Sequence, residues 1–177
     1  MKKVVIRTLM ALAAIIAIIL IIASMQPDTF RVERSITINA SQAKVFALVN
    51  DLHQWNSWSP FEKLDPAMKK TFSGRASGVG AVYEWDGNGS AGAGRMEIID
   101  TSSSTITFKL DFLRPFEGHN TAEFIFQPEG NGTKVTWAMY GPNNFAGKVI
   151  GLFLNMDKAL GKEFEEGLSN LKSLTEA

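Results

Sequence analysis

Gly147–Thr175 reads GKVIGLFLNMDKALGKEFEEGLSNLKSLT and contains no proline. Its apolar residues fall at Val149, Leu152, Phe153, Met156, Leu160, Phe164, Leu168, Leu171 and Leu174. The steps are threes and fours with one adjacent pair, the repeat of one face of an α-helix. The opposite face carries Lys148, Asp157, Lys158, Lys162, Glu165, Glu166 and Lys172. The spacing predicts one helix about 40 Å long, at about 1.5 Å per residue. A continuous apolar stripe of that length needs a long partner surface. The stripe lacks sustained heptads, which argues against a coiled-coil strand. The segment upstream, Phe30 to Tyr140, reads as a sheet able to receive it.

That sheet is legible as alternation. Phe30–Asn39 alternates around Val32, Ile36 and Ile38 and is rich in β-branched residues, a strand signature. Ser41 is a good N-cap for a short helix over Lys44–Leu52, with Val45, Phe46, Leu48 and Val49 apolar. His53–Pro60 then holds Trp55 and Trp58 before proline stops regular structure. Five further strands follow at Val79–Asp86, Ala93–Asp100, Thr105–Phe112, Thr121–Gln127 and Thr133–Met139. Their inward sets are Tyr83 and Trp85; Met96 and Ile98; Ile106, Phe108, Leu110 and Phe112; Ala122, Phe124 and Phe126; and Val135, Trp137 and Met139. Gly87-Asn88-Gly89, Ser102–Ser104 and Glu129-Gly130-Asn131-Gly132 supply the turns. The expectation is an α+β fold, a curved antiparallel sheet wrapped around a long C-terminal helix.

Thr8–Met25 is an uncharged run that covers about 27 Å as a helix, close to a hydrocarbon core of roughly 30 Å. With Val4–Ile6 added, residues 4–25 are long enough to span, Arg7 snorkelling outward. Residues 1–25 are therefore read as a single-pass membrane anchor. The rival reading is a cleaved signal peptide, but Ala23-Ser24-Met25 puts methionine where a small residue is wanted. Lys2, Lys3 and Arg7 precede the run. Arg31 and Arg34 follow it, offset by Asp28 and Glu33. This favours a cytoplasmic N-terminus and an extracytoplasmic domain, or a secreted one if the segment is cleaved. Residues 26–29, with Pro27, read as a linker to one domain over 30–176.

The 177 residues carry 18 basic and 18 acidic side chains, and 45% are apolar. Setting Lys2, Lys3 and Arg7 aside leaves 15 basic residues against 18 acidic ones. No basic patch stands out, so nucleic acid is not an expected partner. The absence of cysteine excludes disulfides, thiol nucleophiles and thiolate metal sites.

The stretch INASQAKVFALVNDLHQWNSWSPF, Ile38 to Phe61, closely resembles the opening of the polyketide cyclase/dehydrase and lipid-transport families of the START-like, helix-grip (SRPBCC) superfamily. Gly78–Trp85, Gly132–Trp137 and Phe164–Lys172 fit the same resemblance, which covers about residues 30–176 and leaves out the N-terminal run. It is specific for the fold and weak for function. It implies an apolar cavity between sheet and long helix, in a superfamily that binds lipids, hormones, polyketides or client proteins and is catalytic only in part.

Several motifs have plain structural readings. Gly87–Gly92 spells G-x-G-x-x-G but lies between two strands, whereas a dinucleotide site needs a helix after it; it reads as a hairpin turn. Asn88-Gly89-Ser90 and Asn131-Gly132-Thr133 match glycosylation acceptors and are equally Asn-Gly turns. His53 and His119 are the only histidines, too few for a metal site without cysteine. His53 reads as capping or surface packing beside Asp51, and His119 as a solvated turn residue. Asp111 and Arg114 form either a cavity rim or an ordinary surface pair. No cofactor, metal or catalytic residue is expected.

No Asp, Glu, His or Lys falls in the inward phase of the five later strands, and acid–base chemistry needs a titratable group within reach of substrate. The expected site is an apolar cavity lined by Trp58, Tyr83, Trp85, Met96, Phe108, Leu110, Phe112, Phe124, Trp137, Met139, Phe153, Met156 and Leu160. The same residues would also serve as a packed core. The function expected is binding of a hydrophobic small molecule or lipid beside the membrane. The alternatives are a cyclase or dehydratase using Tyr83 or His53, and a module that docks a client protein on sheet and helix.

Overall fold

The alternating segments assemble into one antiparallel sheet in a computed structural model that describes all of residues 1–177. The strands are β1 (Thr29–Ile38), β2 (Lys69–Gly74), β3 (Ala81–Asp86), β4 (Ala93–Thr101), β5 (Thr105–Arg114), β6 (Gly118–Glu129) and β7 (Gly132–Pro142). Their spatial order is β1-β7-β6-β5-β4-β3-β2, every pairing antiparallel. β1 and β2 are opposite edges, so the chain between them must cross the sheet. Helix α2 (Gln42–Asn50) and two 3₁₀ turns, Leu52–Ser57 and Pro60–Lys63, make that crossing. With a C-terminal helix on the curved sheet, the architecture is the α+β helix-grip arrangement.

Strand β2 has no counterpart in the sequence reading. Its residues, KKTFSG, are all exposed and offer only Phe72 as a large apolar group. An edge strand bearing lysines resists pairing with another chain, and that protection erases the alternation that marks buried strands. Ser41 caps α2 as expected, its side chain accepting from the Lys44 N–H.

The C-terminal stretch is two helices, not one of 40 Å. Helix α3 spans Phe145–Gly151 and α4 spans Met156–Glu176. Gly151 weakens the first helix at its end. Asn155 starts the second by capping, its side-chain oxygen accepting from the Lys158 N–H at 2.8 Å. The turn between them, 152–155, frees Phe153 from the stripe.

From Phe164 onward α4 buries Phe164, Gly167, Leu168, Leu171 and Thr175. The four-three-four rhythm continues to Thr175, so Leu174, expected in the stripe, is 41% exposed. The Thr175 hydroxyl is satisfied by the Leu171 carbonyl at 2.8 Å. Phe164 stacks on Trp137 with centroids 4.3 Å apart, and Trp137 stacks on Phe124 at 4.9 Å. Burying one such ring stabilises by about 1.5–3 kcal/mol. Gly167 permits this approach, because a Cβ there would stand 2.7 Å from the Trp137 ring and 2.9 Å from Pro60. Arg34 of β1 clamps the front of α4, reaching Asp157 at 3.0 Å and Glu165 at 2.7 Å across Gly161.

Helix α1, Lys2–Ser24, is long and apolar enough to cross a membrane. Ile19 and Ala23 are its only residues not exposed, and α3 packs on it. Residues 26–28 join it to β1, and this linker is tied down. Asn143 donates from its side chain to the Pro27 carbonyl at 3.1 Å and from its backbone to the Asp28 carbonyl at 2.7 Å. The buried Lys148 ammonium meets the Asp28 carboxylate at 2.5 Å and holds it below its ordinary pKa.

Candidate functional site

A cavity of about 120 Å³ lies between the sheet, α4 and the crossing segment. The inward phase of β3, β4 and β5 brings Tyr83, Trp85, Met96, Leu110 and Phe112 to it. Ala122 and Met139, directly paired across β6 and β7, form its floor with Trp137. Leu160 and Phe164 close it from α4. The crossing segment covers the remaining side with Trp55, Ser59, Phe61, Glu62, Leu64 and Met68.

Eight of the expected lining residues therefore meet in one place: Tyr83, Trp85, Met96, Leu110, Phe112, Trp137, Met139 and Leu160. Five do not. Trp58, Phe108 and Phe124 are fully buried but lie in the core behind the cavity, where Trp58 packs edge-on to Phe124 and Trp137. Phe153 is 71% exposed and Met156 50% exposed. The break between α3 and α4 carries Phe153 off the helix face, and Met156, first residue of α4, points outward. Neither Phe153 nor Met156 lines the cavity.

Nine lining residues lie outside the expected set, and six of them, Trp55, Ser59, Phe61, Glu62, Leu64 and Met68, come from the crossing segment. Irregular backbone has no period from which to infer a facing direction, so Phe61 and Glu62 carried no directional signal. Only Ser59 and Glu62 interrupt the apolar lining. The Glu62 side chain is 10% exposed, and its carboxylate accepts from the Tyr83 hydroxyl at 2.8 Å. Lys70 of the edge strand, opposite Trp85, pairs with the same carboxylate. Burial, the Tyr83–Glu62 hydrogen bond and the Glu62 charge together push the Tyr83 hydroxyl far above its ordinary pKa. Tyr83 thus stands as a hydrogen-bond donor to Glu62. The strands bring no acid to the cavity, as the alternation implies, and the crossing segment brings one.

The covering segment is pinned from both sides. Lys63 bridges to Glu166 of α4 at 2.8 Å, and its hydrogen bond holds the Glu166 carboxyl below the ordinary range. Glu62 ties the same turn to β3 and β2. A ligand larger than the cavity must move this turn or the start of α4.

Neither histidine reaches the cavity. His53 stacks on Phe72 with centroids 4.2 Å apart and contacts Asp51 at 3.1 Å, the surface packing its neighbours suggest. His119 contacts Asp111 at 2.7 Å on the outer face. Burial raises the Asp111 pKa, but hydrogen bonds from His119 and Lys109 outweigh it and leave the carboxyl low. Arg114 pairs with Asp86 at the surface. Gly87–Gly92 is the β3–β4 turn, closed by the Gly87 N–H on the Gly92 carbonyl at 2.8 Å. No group of three or more His, Asp or Glu stands close enough to hold a metal ion.

Residues 29–176 match the protein family described as polyketide cyclase / dehydrase and lipid transport. No curated protein matches the sequence. Solved structures share the fold at low identity. A Chromobacterium violaceum protein is 14% identical, with TM-score 0.58 over 86% of this chain and 99% of its own. A di-domain aromatase/cyclase of the steffimycin biosynthetic pathway is 12% identical, with TM-score 0.62 over 84% of this chain. The match spans about half of that protein, 51% of its length. The ginseng (Panax ginseng) major latex-like protein 151 is 14% identical, with TM-score 0.56 over 84% of this chain and 99% of its own.

Proposed function

We propose that this chain, which belongs to the polyketide cyclase / dehydrase and lipid transport family, is a membrane-anchored protein that binds a hydrophobic small molecule or lipid in the cavity between sheet and α4. The observation that carries the reading is the lining: fifteen of seventeen residues are hydrophobic, and the two others are adjacent to one wall. A volume of about 120 Å³ is below the roughly 300–1,000 Å³ of drug-sized pockets and near that of cavities that hold one benzene-sized group. The ligand portion held is a ring or a short length of acyl chain. Glu62 and Tyr83 give it one polar end to orient against. Helix α1 keeps the domain beside a bilayer, where such ligands partition, with Lys2, Lys3 and Arg7 favouring a cytoplasmic N-terminus.

The test is native mass spectrometry of the intact chain released from lipid nanodiscs. The reading expects a bound hydrophobic molecule that survives mild activation and is lost from a variant whose cavity is filled. Only non-specific annular lipid, equal in both, would contradict it.

One observation favours a second reading. Glu62 is a carboxylate facing an apolar chamber beside a hydroxyl donor, the pair that a cyclase or dehydratase would use to move a proton. Glu62→Gln separates the two readings. It would abolish turnover of a substrate in an enzyme while sparing binding.

A further inference from the structure

Six of the exposed large hydrophobic residues of the domain lie at one end, while Phe72, Val79, Ile99 and Leu174 stand singly elsewhere. Phe145, Ile150, Phe153, Leu154 and Met156 lie on α3, the following turn and the first residue of α4, and Phe116 lies at the β5–β6 tip. The sheet register places these segments together. Thr29 pairs with Pro142, Phe112 with Gly118 and Asp86 with Ala93, so the start of β1, the end of β7 and the β3–β4 and β5–β6 turns share one edge of the molecule. The same edge is where the chain arrives from α1. An apolar group of this extent on a folded domain marks a contact surface.

The position of α1 identifies what covers it. Helix α3 packs on α1, where only Ile19 and Ala23, one turn apart, are shielded. Ile19 lies about 9 Å along the helix axis before Met25, six residues at about 1.5 Å each. Interfacial helices bury their apolar face by roughly 5–10 Å. The Asn143, Lys148 and Asp28 contacts fix the linker, so α3 cannot swing away from the end of α1 without breaking them.

We propose that α3 and the 152–155 turn form a second membrane contact, lying in the headgroup–acyl boundary beside α1, with Phe116 of the β5–β6 tip resting on the same surface. This rests on α1 spanning the bilayer. Ala91, Phe112 and Leu160 of the cavity wall belong to this end of the domain, so the contact sets the cavity against the lipid from which an apolar ligand is drawn.

The chain has no cysteine, so a single introduced one carries a unique spin label. Leu12→Cys, Phe153→Cys and Ser103→Cys, each in the full chain, are labelled and placed in nanodiscs of phosphatidylcholine and phosphatidylglycerol. The proposal expects the label at 153 to shift from collision with a water-soluble nickel chelate to collision with oxygen, as the label at 12 does. The label at 103, on the β4–β5 turn at the opposite end, stays with the chelate. A label at 12 in lipid with 153 in water overturns the interfacial contact and leaves the anchor standing. A label at 153 shielded from both agents and broadened by a neighbouring spin assigns the surface to a second copy and also overturns it. A label at 12 in water overturns the anchor, and the proposal with it.

Discussion

The Tyr83 hydroxyl donates to the Glu62 carboxylate at 2.8 Å, and both side chains border a cavity that is otherwise almost wholly apolar. A hydrogen bond to a charged acceptor contributes about 1.5–3 kcal/mol when its partners are shielded from water. Glu62 keeps Lys70 when Tyr83 is removed, so its charge is never orphaned. Tyr83→Phe is therefore expected to cost about 1–2 kcal/mol in chemical denaturation. The raised pKa gives the sign at high pH: the folded form holds its proton more tightly, so this stability is complete below pH about 10 and is lost as pH rises further. Absorbance titration should show a tyrosinate step that coincides with unfolding and is missing in Tyr83→Phe.

A polar pair in an apolar wall selects for a ligand with one hydroxyl. Naphthol and naphthalene differ by that group alone. The wild type should prefer naphthol by about tenfold, roughly 1.4 kcal/mol. Glu62→Leu should erase the preference while retaining naphthalene. Equal affinity of the wild type for both compounds would remove Glu62 from any role in recognition.

Helix α4 is seated by close approach at Gly167. Glycine to alanine in a helix interior ordinarily stabilises by up to about 1 kcal/mol. At Gly167 the added Cβ meets Trp137 and Pro60, neither of which is a flexible chain end. Overpacking of this kind costs about 1–3 kcal/mol, so Gly167→Ala should lower the melting temperature. Gly161→Ala should cost less, because the group it displaces is the far end of the long Arg34 side chain and not a ring or proline, although the shift weakens the Arg34 pairing with Asp157 and Glu165.

Acid should loosen the same helix. The hydrogen bond from Arg34 holds Asp157 below its ordinary pKa, that from Lys63 does so for Glu166, and that from the Asn39 N–H does so for Glu176. A lowered folded-state pKa means that the unfolded chain binds protons first. The stabilisation is present above the unfolded carboxyl range near pH 4 and is lost as pH falls through the lower folded values. Melting temperature should decline below pH about 5. Asp157→Asn should flatten part of that decline.

The sheet was readable because burial on one face writes a period of two into the sequence. Met96, Phe108, Phe124 and Trp137 all point inward as alternation requires. The period could not distinguish a side chain in the core from one on the cavity wall, since both are apolar and face the same way. Phe124 and Trp137 stack on each other, yet only Trp137 touches the cavity. The helix break was hidden because Leu152 and Phe153 keep roughly helical spacing through it, while the signals against a continuous helix, Gly151 and Asn155, are single residues. Glu62 had no period to be read from at all.

The central claim is that the interior is a binding cavity and not a filled core. Ala122 and Met139 face each other across β6 and β7 on its floor. The decisive measurement is energy transfer from tryptophan to an uncharged naphthylamine probe, for the full chain in nanodiscs against empty nanodiscs. It is paired with the melting temperature of Ala122→Leu and Met139→Phe. Leu168→Ala, at a fully buried position outside the lining, is the control and should cost about 2–5 kcal/mol without selective loss of probe binding. The account predicts saturable transfer in the wild type that disappears in both enlarged variants while their melting temperatures hold or rise. Enlarged variants that melt lower, with no saturable transfer in the wild type, would contradict it.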